Sequence, residues 1–129
     1  MKRCLPFLGF LILALNLSAG DTNNAAPMKI GTADAKNFFG KEMIVTGQVA
    51  QVSIRPGIVF LNMDKPYPNS PFTLVIFPAA TNQFGNIKSL RGASVEATGK
   101  IISYHNRAEI VLEKAKQLKV TAPAPSTGH

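Results

Sequence analysis

Cysteine, tryptophan, histidine and acidic side chains are all scarce in this chain, and each shortage removes a class of chemistry. The 129 residues hold one cysteine, Cys4, and no tryptophan. A single thiol closes no internal disulfide and builds no thiolate metal site of the usual kind. The two histidines fall at His105, in an expected turn, and His129, at the terminus, so no His-x-His pair is available to hold a metal. Seven acidic residues are spread thinly. Asp64 stands alone in a loop, Glu96 belongs to a different strand, and Glu109 lies two residues from Arg107, where an ion pair is the simplest reading. A metal-dependent nuclease needs clustered carboxylates and a positioned base, a spacing absent here. Gly-x-Ser-x-Gly and glycine-rich phosphate loops are absent too, and Gly31, Gly40 and Gly47 read as isolated structural glycines. The expectation is a protein that is not an enzyme and uses no cofactor or metal.

The N-terminus has the layout of a secretory signal peptide. Lys2 and Arg3 precede an apolar run over residues 5–15, and the small residues Ser18, Ala19 and Gly20 follow it. Residues 1–20 are therefore assigned to a signal peptide, with the mature chain starting between about Ala19 and Ala26. The run is short of the roughly 20 apolar residues that span a bilayer, and no later segment is both long and uncharged, so no integral membrane segment is expected after cleavage. Cys4 precedes the run, whereas a lipoprotein cysteine follows it. In a bacterial host the compartment is periplasmic, or the protein is secreted.

Without Lys2 and Arg3 the chain keeps 12 basic residues against 7 acidic ones, a net charge of about +5. Such a field favours polyanions, among them nucleic acid, anionic glycans and phospholipid surfaces; it also serves plain solubility.

What is plentiful is β-forming sequence. Residues 58–63 and 72–77 are rich in β-branched and aromatic side chains. Pro66, Pro68 and Pro71 between them lack ladder donors and fix φ, so two strands join through a stiff basic tip. Residues 41–52 and 93–104 look like versions of one strand, each with a Thr-Gly pair inside it: Thr46-Gly47 and Thr98-Gly99. A glycine within a strand marks a bulge or a bend at a barrel corner. In the first strand, roughly 42–54, Met43, Val45 and Val49 share one parity and Val52 and Ile54 the other, which demands a bulge or sharp coil. Arg55-Pro56-Gly57 is a turn. Ahead of these strands, Thr32 is placed to cap a short helix over 33–39 that Gly40 ends, with Phe38 or Phe39 sealing a barrel mouth. Residues 78–90 carry Phe84, Ile87 and Leu90 at helical spacing and read as a helical plug. His105-Asn106 is a two-residue turn, and a fifth strand begins near Glu109 and resumes at 118–120. The expected organisation is a signal peptide over 1–20, a linker over 21–29, one domain over 30–120 and a disordered tail over 121–129.

Three stretches carry a family likeness: GKEMIVTGQV, VFLNMDKPYPNSPFTLVIF and GASVEATGKIISYHNRAEIVL. They resemble the exported OB-fold domains related to the tRNA-anticodon-binding-like nucleic-acid-binding group. The likeness runs over about 30–120 and is most specific at Phe60-Leu61-Asn62, at residues 65–69, and at Tyr104, Arg107 and Glu109. Related sequences often carry Gly-Arg-Pro-Glu where this chain has Asn106-Arg107-Ala108-Glu109. The resemblance implies an all-β fold: a five-stranded OB-fold Greek-key barrel with a short N-terminal helix and a short helical plug between strands three and four.

On an OB-fold the ligand crosses strands two and three, flanked by the loops between strands one and two and between four and five. That mapping gathers Arg55, Lys65, Tyr67, Tyr104 and Arg107, with His105 beside them. Cations follow phosphates and aromatic faces stack bases, the pairing that single-stranded nucleic acid requires. Phe60 and Phe72 are either stacking platforms or core, and Tyr67 is either an exposed contact or a lid over the barrel. The expected partner is single-stranded nucleic acid or another polyanion, held with little sequence preference. The alternative is an envelope or stress interaction protein that binds a protein, glycan or small ligand.

Overall fold

The computed structural model describes residues 27–125; the signal-peptide assignment and the last four residues lie outside them. The strands are β1 (Lys29–Gly31), β2 (Glu42–Arg55), β3 (Ile58–Met63), β4 (Phe72–Ile76), β5 (Ser94–Lys100), β6 (Ile102–Tyr104), β7 (Arg107–Val111) and β8 (Leu118–Ala122). They form one sheet in the order β6-β7-β4-β3-β2-β5-β8, with β1 pairing to β2 in parallel. The sheet is open and has eight strands, not the five of a closed barrel expected from the resemblance. The count rises for a local reason. The expected fourth strand breaks at one buried residue, Ile101, whose N–H donates to the Lys41 carbonyl and whose C=O accepts from the Gly40 N–H. Its first part, β5, pairs with β2, and its last part, β6, pairs with β7. The resumption after residue 117, β8, pairs with β5 rather than extending β7, and reaches Ala122, past the expected domain end.

The long strand β2 organises the fold by pairing with β5 through its first half and with β3 through its second. Its register against β3 shifts between Val49 and Gln51, so Ala50 is an inserted residue. Here is the parity change that the sequence requires. Before it, Met43, Val45 and Val49 face the core; after it Val52 packs inward, and Gln51, Ser53 and Arg55 turn to the other face. The two strand glycines have a different cause from the one expected. The β2–β5 ladder runs without a shift through both Gly47 and Gly99. Glycine is needed because a Cβ would lie 2.8 Å from Thr32 Cγ2 at residue 47 and 2.7 Å from Ile110 Cγ2 at residue 99.

The core between the strands is built on Phe72, Leu61, Met63, Leu74, Ile76, Ile101, Ile110 and Leu112, all fully buried. Each such side chain contributes about 1.5–3 kcal/mol by leaving water. Phe72 is thereby excluded as a stacking platform. The plug is present between β4 and β5, as α1 (Pro78–Thr81) followed by 3-10 turns at Asn82–Phe84 and Ile87–Leu90. It buries Ala80, Ile87 and Leu90 and packs Phe84 on the core. The N-terminal helix is a 3-10 helix, Thr32–Asn37, whose following Phe38 packs on the core while Phe39 is exposed. Thr32 is not its cap: Gly31 holds that position, and the Thr32 hydroxyl donates to the Asp64 carboxylate. Asp64 also accepts the Gln48 N–H at 2.9 Å. The loop carboxylate that looked solitary thus ties the 64–71 loop to β2 and the N-terminal helix. No helix among the described residues is long and apolar enough to cross a membrane.

Candidate functional site

Two tight turns frame one face of the sheet. Pro56 and Gly57 join Arg55 to Ile58, with Gly57 at φ +84°, the positive value that the second central position of a type II turn needs. His105 and Asn106 join Tyr104 to Arg107, both with positive φ, as a primed two-residue hairpin requires. Between these turns lies a groove of about 480 Å³. Period-two alternation supplies its lining: Gln51, Ser53 and Arg55 from β2, Phe60 and Asn62 from β3, Thr73 from β4, and Arg107 and Glu109 from β7, with Tyr104, His105 and Tyr67 on the walls.

Four of the five expected site residues, Arg55, Tyr67, Tyr104 and Arg107, meet in this groove; Lys65 is exposed on the adjoining loop but does not line it. Phe60, half-buried, lines the groove as a stacking platform would. Tyr67 is 66% exposed, so it stands in solvent rather than closing over the barrel as a lid. The Arg107 guanidinium carbon lies 4.7 Å from the centre of its ring, and Arg107 Nη2 donates to the Pro68 carbonyl at 2.9 Å. A cation over an aromatic face is worth about 0.5–1 kcal/mol when exposed, so Arg107 braces the loop while keeping its charge at the rim. Tyr104, 56% exposed, meets the His105 ring edge to face at 4.2 Å. The Arg55 Nε donates to Ser53 Oγ at 3.3 Å, which aligns the arginine along the face.

The expected Arg107–Glu109 ion pair does not form. Among the described residues the one ion pair is Lys29–Glu96, at 3.0 Å on the opposite part of the sheet. Glu109 is buried, with 7% of its surface exposed, and no described residue donates a hydrogen bond to its carboxylate. Burial pushes its pKa above the usual carboxylate value, opposed in part by the charge of Arg107. No cluster of three potential metal ligands occurs among the described residues.

The sequence reading missed the groove floor. Gln51 pairs with Asn62, Asn62 with Thr73, and Thr73 with Glu109, one residue from each of β2, β3, β4 and β7. Asn62, Thr73 and Glu109 are buried polar residues in otherwise apolar strands. That interruption of the apolar pattern was the available signal, but it locates a row only once the register is known.

The sequence matches no protein-family model and no curated protein. Solved structures do share its fold. An OBody, AM2EP06, bound to hen egg-white lysozyme is 17% identical with a TM-score of 0.55, over 72% of this chain and 92% of the OBody. Asparaginyl-tRNA synthetase from Entamoeba histolytica, in complex with asparaginyl-adenylate, is 20% identical with a TM-score of 0.53, over 78% of this chain and 25% of the synthetase. A putative aspartyl-tRNA synthetase from Leishmania major is 12% identical with a TM-score of 0.54, over 80% of this chain and 24% of the synthetase. The chain thus corresponds to about a quarter of each synthetase. These likenesses are of fold alone, and at that level they agree with an OB-fold.

Proposed function

We propose that this chain is an exported, non-catalytic OB-fold module that holds single-stranded nucleic acid, or a polyanion of similar shape, in the groove between Arg55 and Arg107. The observation that carries the reading is the gathering of two arginines with Phe60, Tyr67 and Tyr104 on one face. Phosphates are drawn to the arginines, and the aromatic side chains offer stacking worth about 1–3 kcal/mol per base. The net positive charge of the chain supports approach of a polyanion. Export to the periplasm or the exterior rests on the leader over residues 1–20.

The test is fluorescence anisotropy of the processed protein with a mixed-sequence single-stranded oligonucleotide at low salt. Binding that weakens as salt rises supports the reading, because displaced counterions drive association. No binding at high micromolar protein contradicts it. A second reading, an envelope protein that binds a protein, draws on the OBody held against lysozyme, an OB-like fold with a protein ligand. It predicts capture of a protein partner with no oligonucleotide binding.

A further inference from the structure

The hydrogen bonds along the groove floor converge on Gln51. At one end the Tyr67 backbone N–H donates to Gln51 Oε1 at 2.9 Å. A backbone N–H can only donate, so this contact fixes which end of the Gln51 amide is oxygen. Asn62 must then offer its nitrogen to that same oxygen, at 2.8 Å, and its own oxygen faces Thr73. The Thr73 hydroxyl spends its single proton on Asn62 Oδ1, at 2.9 Å. Nothing is left to donate at the far end. Thr73 offers lone pairs only, and its register partner Glu109, when ionised, also only accepts.

The row therefore ends in two neighbouring acceptors that open on the groove; Glu109 is a buried residue, and its carboxylate has no donor from any described residue. Buried polar groups in folded proteins are nearly always partnered, so this end is built for a donor that comes from outside the chain. The donor's class follows from the rim. Arg55 and Arg107 repel a free ammonium group, whereas a neutral amino group on a flat ring meets no such opposition and fits beside Phe60, Tyr67 and Tyr104.

We infer, on the nucleic-acid reading above, that Glu109 and Thr73 receive the amino edge of a nucleobase, so that the groove selects cytosine over uracil or thymine. Cytosine offers an exocyclic amino group that a carboxylate accepts, whereas uracil and thymine have a carbonyl oxygen at that position, facing two acceptors. Burial of the Glu109 carboxylate without a partner raises its pKa, and a bound amino group would relieve that cost. The flat sequence tolerance expected from charge and stacking alone is thereby narrowed to a preference for one base edge.

The experiment compares oligo-deoxycytidine with oligo-deoxyuridine of equal length, bound to the processed protein at pH 7.5 and fixed salt. The two differ at the edge that Glu109 would read. The expected result is cytidine tighter by on the order of tenfold, with the gap closing in Glu109→Gln, whose amide both donates and accepts, and in Glu109→Leu. Circular dichroism confirms that both variants are folded. Equal affinity for the two oligonucleotides in the parent overturns the inference and leaves the nucleic-acid reading standing. A cytidine preference that persists in both folded variants also overturns it, since the selection would then arise elsewhere. No binding of either oligonucleotide overturns the nucleic-acid reading and this inference with it.

Discussion

Two polar side chains, Gln117 and Glu109, show how differently this fold treats its two faces. Beneath the β5–β8 side, Gln117 has every bond that its amide can make. Its oxygen accepts from the Glu113 and Lys114 N–H groups at 2.7 and 2.9 Å, and its nitrogen donates to the Thr98 and Val111 carbonyls at 3.1 and 3.3 Å. One side chain thereby ties β5, β7 and the turn before β8 together. Glu109, on the groove side, is more deeply buried and has no such partner. A satisfied polar group rigidifies the fold, and an unsatisfied one is a cost that a ligand can remove. The β5–β8 side is scaffold, and the β2–β3–β4–β7 face is the one we propose as the site.

The sharpest way to break the scaffold side is Gly99→Val. A side chain there meets fully buried Ile110 at 2.7 Å and the Gln117 amide at 3.2 Å. Chemical denaturation should show a loss of about 2–3 kcal/mol from overpacking. An unchanged midpoint would mean that the close approach is not real. Gly47→Val should also destabilise, since a Cβ there meets the Thr32 methyl at 2.8 Å and Asp64 Oδ1 and Met63 Cε at 3.2 Å.

Gln117→Ala comes next. It leaves backbone groups on two strands without partners, and a loss of about 1–3 kcal/mol is expected, with oligonucleotide affinity unchanged once the protein is folded. Altered affinity would blur the division between scaffold and site.

Glu109→Gln should act in the opposite direction. Burial raises the folded-state pKa of Glu109 above the usual carboxylate value, opposed in part by Arg107. The folded protein then binds a proton more readily than the unfolded chain, and stability falls as pH rises through the interval between the two values. Replacing the carboxylate should stabilise the protein near neutral pH by about 1 kcal/mol, and the gain should vanish as pH drops below the unfolded-state value. Denaturation midpoints at pH 7 and pH 4 check this; a gain that is the same at both would mean that ionisation of Glu109 is not its source.

Much of this architecture can be read from residue types. The 58–63 and 72–77 runs, the turns at Pro56-Gly57 and His105-Asn106 and the parity change in β2 follow from local chemistry, and all appear where expected, β4 ending one residue early at Ile76. Four groove residues could be found because turns place Arg55, Tyr104 and Arg107 at strand ends and prolines bracket Tyr67. What local chemistry cannot supply is register. The split at Ile101, the pairing of β8 with β5 and the row from Gln51 to Glu109 depend on which strands become neighbours. The same limit explains the Arg107–Glu109 ion pair that does not form. Residues two apart on a strand share a face, but the Arg107 head turns to Tyr67 and Pro68, a loop 39 residues away in sequence.

The central claim, that this groove is a nucleic-acid site, is tested most directly by salt titrations of oligonucleotide affinity in the parent, Arg55→Ala, Tyr104→Ala and Lys65→Ala. Arg55→Ala should weaken binding and flatten the plot of log affinity against log salt by about 0.7, the share of one phosphate contact on a single strand. Tyr104→Ala should weaken binding by about 1–3 kcal/mol with the slope unchanged, since stacking releases no counterion. Lys65→Ala, outside the groove, should have the smallest effect. No binding by the parent at low salt, or groove variants indistinguishable from the parent, would contradict the claim.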